Sequence, residues 1–224
     1  MGFFKVDTTE DNVRDSSGSS GNWINRSGIY EVEIKAVTVN TSPGGSTYLN
    51  MWVDHKGTTQ VLYRAIRVTN NDGSPNLEAK LLTKLCVVTG AVDGTELADP
   101  VSKRLPIGKD GSTEDCMVLE EFEGVPVILR MQLVYSMYDG KIQEQRIIRN
   151  FFRYEDKATA SEIVNAKEFG KQFAMEEEKA DTVTYKDGLT QEDVDEWKKN
   201  RAKGTIKENK PSQGFTSKRR FGKD

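Results

Sequence analysis

Two strand-like runs of more than ten residues, VPVILRMQLVYSM (Val125–Met137) and IQEQRIIRNFFRY (Ile142–Tyr154), flank the tetrapeptide YDGK at Tyr138–Lys141. Asp-Gly between runs rich in β-branched and aromatic residues is the strongest short-range hairpin signal. A two-residue turn at Asp139-Gly140 and a four-residue loop at Tyr138–Lys141 give the same pairing, with Arg130 opposite Arg149. Successive side chains alternate between faces, so both faces can be assigned. Val125, Val127, Leu129, Met131 and Leu133 share one, opposite Tyr154, Phe152, Asn150, Ile148 and Arg146. That face is the expected core. The other carries Ile128, Arg130, Gln132 and Val134 against Phe151, Arg149 and Ile147, with Arg153 near its end.

Like charges directly opposed destabilise a sheet. An arginine pair is tolerated if acids from elsewhere reach it, or if its natural occupant is an anion. Arginine beside an aromatic on one pleated face suits a phosphate backbone whose bases stack on the ring. In the plainer alternative, the arginines pair with Asp or Glu and the aromatics pack beneath a terminal helix. A one-residue bulge would exchange the two faces.

Upstream, GIYEVEIKAVTV alternates Tyr30, Val32, Ile34 and Ala36 against Glu31, Glu33 and Lys35, the pattern of a half-buried strand. NTSPGGST is a turn. TYLNMWVDH is a second strand, with Tyr48 and Trp52 on the face opposite Leu49, Met51 and Val53. QVLYRAIRV (Gln60–Val68) is a third and adds Tyr63, Arg64 and Arg67. Leu77, Leu81, Leu82, Leu85 and Val88 recur at helical spacing, and Gly90 stands where a C-cap belongs. Residues 91–115 read as a long irregular loop or an insertion with a short strand. Past Tyr154, two thinly amphipathic helices are expected, with Ser161 and Thr190 as N-caps and Asp193 completing a capping-box analogue.

The chain divides on this reading into a flexible segment at 1–27, a β domain at 28–155, a charged helical extension at 156–204 and a disordered basic tail at 205–224. In the tail, Lys218, Arg219 and Arg220 are further candidate phosphate contacts. Net charge is −3, so any nucleic-acid affinity must come from local patches. No apolar run nears the ~18 residues of a membrane span. Cys86 and Cys116 fit no zinc spacing and read as buried free thiols in a reducing cytosol. His55 is the single histidine, which removes His-based triads and HExxH sites. No phosphate-cradling glycine motif occurs, and no cofactor is expected. Asp110, Glu114, Asp115, Glu120, Glu121 and Glu123 cluster, and a metal-dependent nuclease built on them is the enzymatic alternative to a solvated acidic loop. The non-enzymatic alternative is a β-barrel adaptor docking a replication partner through its C-terminal helices, with Trp197 as anchor.

Three strands, a helix, then two strands is the order of an OB-fold, a five-stranded barrel that binds oligonucleotides on an open face. The mainly β fold expected here is that barrel, with the helix between strands 3 and 4 and a helical and disordered C-terminal extension. GIYEVEIKAVTVNTSPGGSTYLNMWV, the hairpin EFEGVPVILRMQLVYSMYDGKIQEQRIIRNFF and the charged C-terminal extension resemble bacteriophage single-stranded DNA-binding proteins, over roughly residues 25–155. The resemblance implies sequence-independent coating of single strands in replication or recombination, in the cytoplasm of a bacterial host, alongside phage replication or recombination proteins. Many such proteins end in an acidic tail with a terminal aromatic. This chain ends SKRRFGKD, and its acidic stretch from Glu176–Glu178 to Glu196 lies upstream.

Overall fold

The computed structural model describes residues 22–90, 96–106 and 112–202. It is mainly β and falls into two compact units. Of the described residues, one comprises those through Leu133 together with Arg146–Val183, and the other Val134–Gln145 with Thr184–Ala202. The division therefore runs through the hairpin and leaves residues 156–183 in the first unit.

The first unit opens with β1 (Gly28–Thr41), β2 (Thr47–His55) and β3 (Thr58–Arg67), then α1 (Ala79–Thr89), as the alternation and the helical spacing lead one to expect. Gly90 caps α1 with a left-handed φ of 62°, a conformation glycine adopts without the Cβ clash. Where a long loop or an insertion with a short strand is expected, two short strands pair, β4 (Val101–Pro106) and β5 (Thr113–Val118). A 3-10 turn (Glu120–Phe122) leads into β6 (Pro126–Tyr138) and β7 (Lys141–Arg153), which pair with each other. Two short helices, α2 (Ala160–Val164) and α3 (Lys171–Glu177), follow.

All of this is organised around β1. Its whole second half lies along β2, while its other side is shared between β6, at Gly28–Glu33, and β5, at Thr38 and Val39. The strand path runs β3-β2-β1-β5-β4, with β6 branching from β1 and β7 pairing with β6. The sheet is open: among the described residues no ladder joins β3 to β7, so the closed five-stranded barrel is not what this sheet forms.

The core lies on one face. Val32, Ile34, Val37, Leu49, Met51, Val53, Leu62 and Ile66 meet Val127, Leu129 and Met131 there, and α1 closes it with Leu85 and Val88. Fully burying each such side chain is worth about 1.5–3 kcal/mol.

Two breaks in alternation change the expected faces. A register shift at Lys35 puts Val37, not Ala36, in line with Ile34. Ala36 then joins Trp52 and Val118 on the opposite face. In β7, Ile148 and Phe151 both enter the main core although they lie three positions apart, which regular alternation would put on opposite faces. Strict alternation fails between them, and Phe152 emerges on the other side against Ile128 and Phe173.

The second unit holds the hairpin's far end, β8 (Thr184–Tyr185) and α4 (Gln191–Ala202). Asp139 and Gly140 both take positive φ, 49° and 67°, as a two-residue type I′ turn requires. β8 runs parallel to Val134–Tyr135. Tyr135 anchors this unit. Its ring stacks on Tyr185 and meets Trp197 edge-on, and its hydroxyl donates to Glu144 at 2.8 Å. Burial and then the Glu144 carboxylate hold that phenol well above the usual tyrosine range. Trp197 thus packs on Tyr135. Thr190 and Asp193 form the anticipated reciprocal cap. No helix among the described residues is long and apolar enough to cross a membrane.

At α2 the N-cap is Thr159, not Ser161. Its hydroxyl accepts from the Glu162 N–H, and the Glu162 carboxylate accepts from the Thr159 N–H. The other Glu162 oxygen accepts from the Gln172 N–H of α3 at 2.8 Å, which ties the two helices together. Burial raises the Glu162 pKa, but the hydrogen bonds from Thr159 and Gln172 outweigh it and hold the carboxyl below its ordinary value. A depressed carboxyl stabilises the fold above its unfolded pKa, near ~4.3, and that contribution vanishes as pH falls through the folded value. Thr159→Ala is expected to cost about 1 kcal/mol at neutral pH, and acid is expected to loosen α2 and α3 in wild type but not in Glu162→Gln. Urea midpoints at pH 7 and in the acid range check both. A midpoint unmoved in Thr159→Ala overturns the first, and equal acid sensitivity in Glu162→Gln the second.

Candidate nucleic-acid interface

The outward face of β2 and β3 bears the most distinctive backbone feature of the first unit. The ladder pairs Tyr48 with Arg67 and Leu49 with Ile66, then resumes at Met51 and Leu62. Tyr63, Arg64 and Ala65 are therefore left opposite Asn50 alone. Such a bulge re-aims side chains that a regular strand would point elsewhere. Arg64 sits at its centre with φ of 51°, a left-handed conformation that costs a non-glycine residue about 1–2 kcal/mol. The buried Asn50 side chain holds it there, its Oδ1 accepting the Arg64 N–H at 2.8 Å.

The bulge delivers Tyr63 to solvent with 71% of its surface exposed. The Arg64 guanidinium lies 5.1 Å from the centroid of the Tyr48 ring. Arg67, beside Tyr48 on the neighbouring strand, is fixed by bonds from its Nε to the Thr69 carbonyl and from its terminal nitrogen to Asn71. Tyr48, Arg64 and Arg67 thus come together, with the exposed Tyr63 next to Arg64 in the chain. Beside it, Gly45 takes φ of 89° and a Cβ there would come within 3.1 Å of the Asn71 carbonyl oxygen. The β1–β2 turn therefore nests against the loop after β3.

The remaining sequence candidates divide. Trp52 is no platform: it is buried with Ala36 and Val118 beneath Leu105 and Cys116. Its indole Nε1 is buried without a hydrogen-bond partner. The cause is the Lys35 register shift together with β5, which brings Val118 over the ring. Phe151 is not exposed either, because the break in β7 turns it into the main core at 0% exposure. Arg130 is buried at 3% exposure; its Nε lies 2.9 Å from a Glu176 carboxylate oxygen and its Nη2 donates to the Lys179 carbonyl. Arg153 grips Asp156 and lies over Phe169. Arg149 remains exposed, with its Nε donating to Gln132 at 2.6 Å. The C-terminal segment thus meets the expected arginine–aromatic face of the hairpin at Arg130 and Arg153, while Arg149 stays exposed. Lys218, Arg219 and Arg220 lie outside the described residues.

Of the acidic run, Asp110 lies outside the described residues. Glu120 and Glu123 flank Lys103 at 2.6 and 2.7 Å, and Glu121 accepts the Ala98 N–H. No group of three metal-ligating side chains occurs among the described residues. His55 shares a hydrogen bond with the Glu31 carbonyl and meets Tyr30 edge-on. Both cysteines are free, and burial pushes the Cys86 thiol up to about 11.

Sequence reasoning found Tyr48, Tyr63, Arg64 and Arg67 but missed Asn50 and Asn71. An asparagine in a strand announces little, because its part here depends on a bulge in the facing strand.

Two substitutions separate patch from core. Phe151→Ala is expected to cost about 3–5 kcal/mol, as for any large core truncation; a loss under 1 kcal/mol would place that ring outside the core. Arg64→Gly relieves the left-handed strain, about 1–2 kcal/mol, while giving up a cation–π contact of about 0.5–1 kcal/mol. Its thermal stability is expected to equal or exceed wild type, and a clear loss would overturn the strain argument. No protein-family model matches the chain, and no curated protein matches it.

Proposed function

We propose that this chain binds single-stranded DNA without sequence preference, and that the β2–β3 patch is its platform. The observation carrying this reading is the strained bulge that presents Tyr63 and Arg64 beside Tyr48 and Arg67. Strain of this kind clusters at functional sites, where the surrounding structure over-determines it. Rings offer stacking surfaces to any base, and guanidinium groups attract the phosphates between bases.

The strand order supports the same reading. Apart from the β4–β5 hairpin inserted after the helix, a three-strand meander, a helix and a hairpin whose first strand returns to β1 resemble an OB-type sheet left open. In OB-folds the face of strands 2 and 3 and the adjoining loops take up oligonucleotides. The resemblance to phage single-stranded DNA-binding proteins adds replication or recombination in a host cytoplasm as the setting. On this reading the protein is a non-enzymatic strand binder, and the hairpin arginines Arg130 and Arg153 serve the fold.

A fluorescent oligo-dT is expected to bind, duplex of equal length to bind more weakly, and log affinity to fall with log salt by about 0.7 per phosphate contacted. Tyr63→Ala is expected to lose about 1–3 kcal/mol of single-strand affinity with its melting temperature unchanged. Binding that ignores both salt and the Tyr63 substitution would remove the patch from the reading; no binding at all would remove the reading.

A further inference from the structure

A cleft of about 630 Å³ opens in the first unit, between α1, the end of β7 and the α2–α3 segment. The β2–β3 patch contributes none of its lining. Four cations line the cleft: Lys84 from α1, Arg149 from β7, Lys167 from the α2–α3 connection and Lys171 at the start of α3. Among the described residues, no carboxylate lies within ion-pair distance of any of them.

The acids in the lining are largely committed elsewhere. Both Glu162 oxygens accept hydrogen bonds from Thr159 and Gln172, and Glu176 faces Arg130. Glu168 is the remaining acid, and it is exposed. With Glu176 matched by Arg130, the balance of the lining is positive.

One polar side chain is built into the wall. Asn150 is 7% exposed, and its Oδ1 accepts from the Lys84 ammonium at 3.2 Å. That bond fixes the amide plane and holds Lys84 at the cleft. Met175 and Ala160 add apolar surface to the same lining.

We propose that this cleft binds a phosphate monoester carried on a body about the size of a nucleoside. With Glu176 matched by Arg130, the four cations exceed Glu162 and Glu168 by two charges, of which a monovalent carboxylate would match only one. A phosphate dianion offers three strong acceptor oxygens, and lysine serves it as a mobile point charge. The volume lies within the range of small-molecule sites, about 300–1,000 Å³, and exceeds what free phosphate fills. Asn150 and the apolar residues suit the organic body. The inference is independent of the single-strand reading, because the two sites share no residue.

Calorimetric titration of the full chain with thymidine monophosphate, thymidine and inorganic phosphate tests it. The monophosphate is expected to bind saturably and thymidine not at all, with inorganic phosphate weaker than the monophosphate. Lys84→Gln/Lys171→Gln is expected to weaken the monophosphate about tenfold or more, since charge-assisted hydrogen bonds are lost. Lys84→Arg/Lys171→Arg is expected to stay within a few-fold of wild type, and Tyr63→Ala to leave this binding unchanged. If the double glutamine variant does not fold, nuclear magnetic resonance of the wild type decides. The monophosphate must then shift the Asn150 side-chain amide resonances, and unmoved resonances overturn the proposal. Equal responses to thymidine and its monophosphate, or full affinity in a folded double glutamine variant, also overturn it. A protein that takes the monophosphate yet ignores oligo-dT keeps the cleft and loses the single-strand reading.

Discussion

A guanidinium buried to 3% exposure cannot be left alone, and much of the first unit follows from where Arg130 stands. A lone buried charge costs several kcal/mol. Arg130 lies on β6, a strand whose other face already belongs to the main core. Glu176 and the Lys179 carbonyl supply its partners, so the segment after β7 must fold back over the hairpin. Ile128, Phe152 and Phe173 add an apolar cluster on the same face, with the two phenylalanine rings edge-on at 5.1 Å. Polar pairing fixes where α3 sits, and the rings supply the driving force. Arg130 Nη1 stays buried without a hydrogen-bond partner, and Nε, though close to Glu176, makes no hydrogen bond either, so the contact is more a locator than a large net source of stability.

That arrangement explains how the sequence could be read well for elements and poorly for faces. β1, β2, β3 and α1 were legible because alternation, helical spacing and Gly90 agree. The turn at Asp139-Gly140 was legible because few other residues accept positive φ twice in succession. The faces were not, because one extra residue in a strand exchanges every side chain beyond it. Two clues were present. In KAVTVN the apolar residues can be counted through Ala36 or restarted at Val37 and Val39, and the register shift at Lys35 selects the second count. In RIIRNFF the doubled Ile147-Ile148 and Phe151-Phe152 are not the mark of a half-exposed strand; they mean that both faces are covered.

The β4–β5 hairpin was illegible for another reason. VSKRLP and TEDCMV are mostly exposed and carry little alternation. Their attachment to β1 rests on Thr38 and Val39 facing Val118 and Met117, a long-range match that no local pattern reveals. The same hairpin hides Trp52, so a ring that sequence alone marks as a platform is instead roofed over. Of the two proposed sites, the patch had a local signature in its tyrosines and arginines. The cleft had none, since Lys84, Arg149 and Lys171 stand on three separate elements.

The bulge in β3 also governs what cannot attach to this protein. β3 ends the strand path, and an open sheet edge is a template on which other chains can add. Templating needs a run of regularly spaced amides and carbonyls. Here regularity stops after Leu62, where three residues are fitted opposite one and Arg64 turns left-handed. A strand arriving from another molecule would find about five consecutive residues before the ladder lost its spacing, and would meet a positive charge at that point. At this edge of the unclosed sheet, one strained arginine interrupts the template that a regular strand would offer.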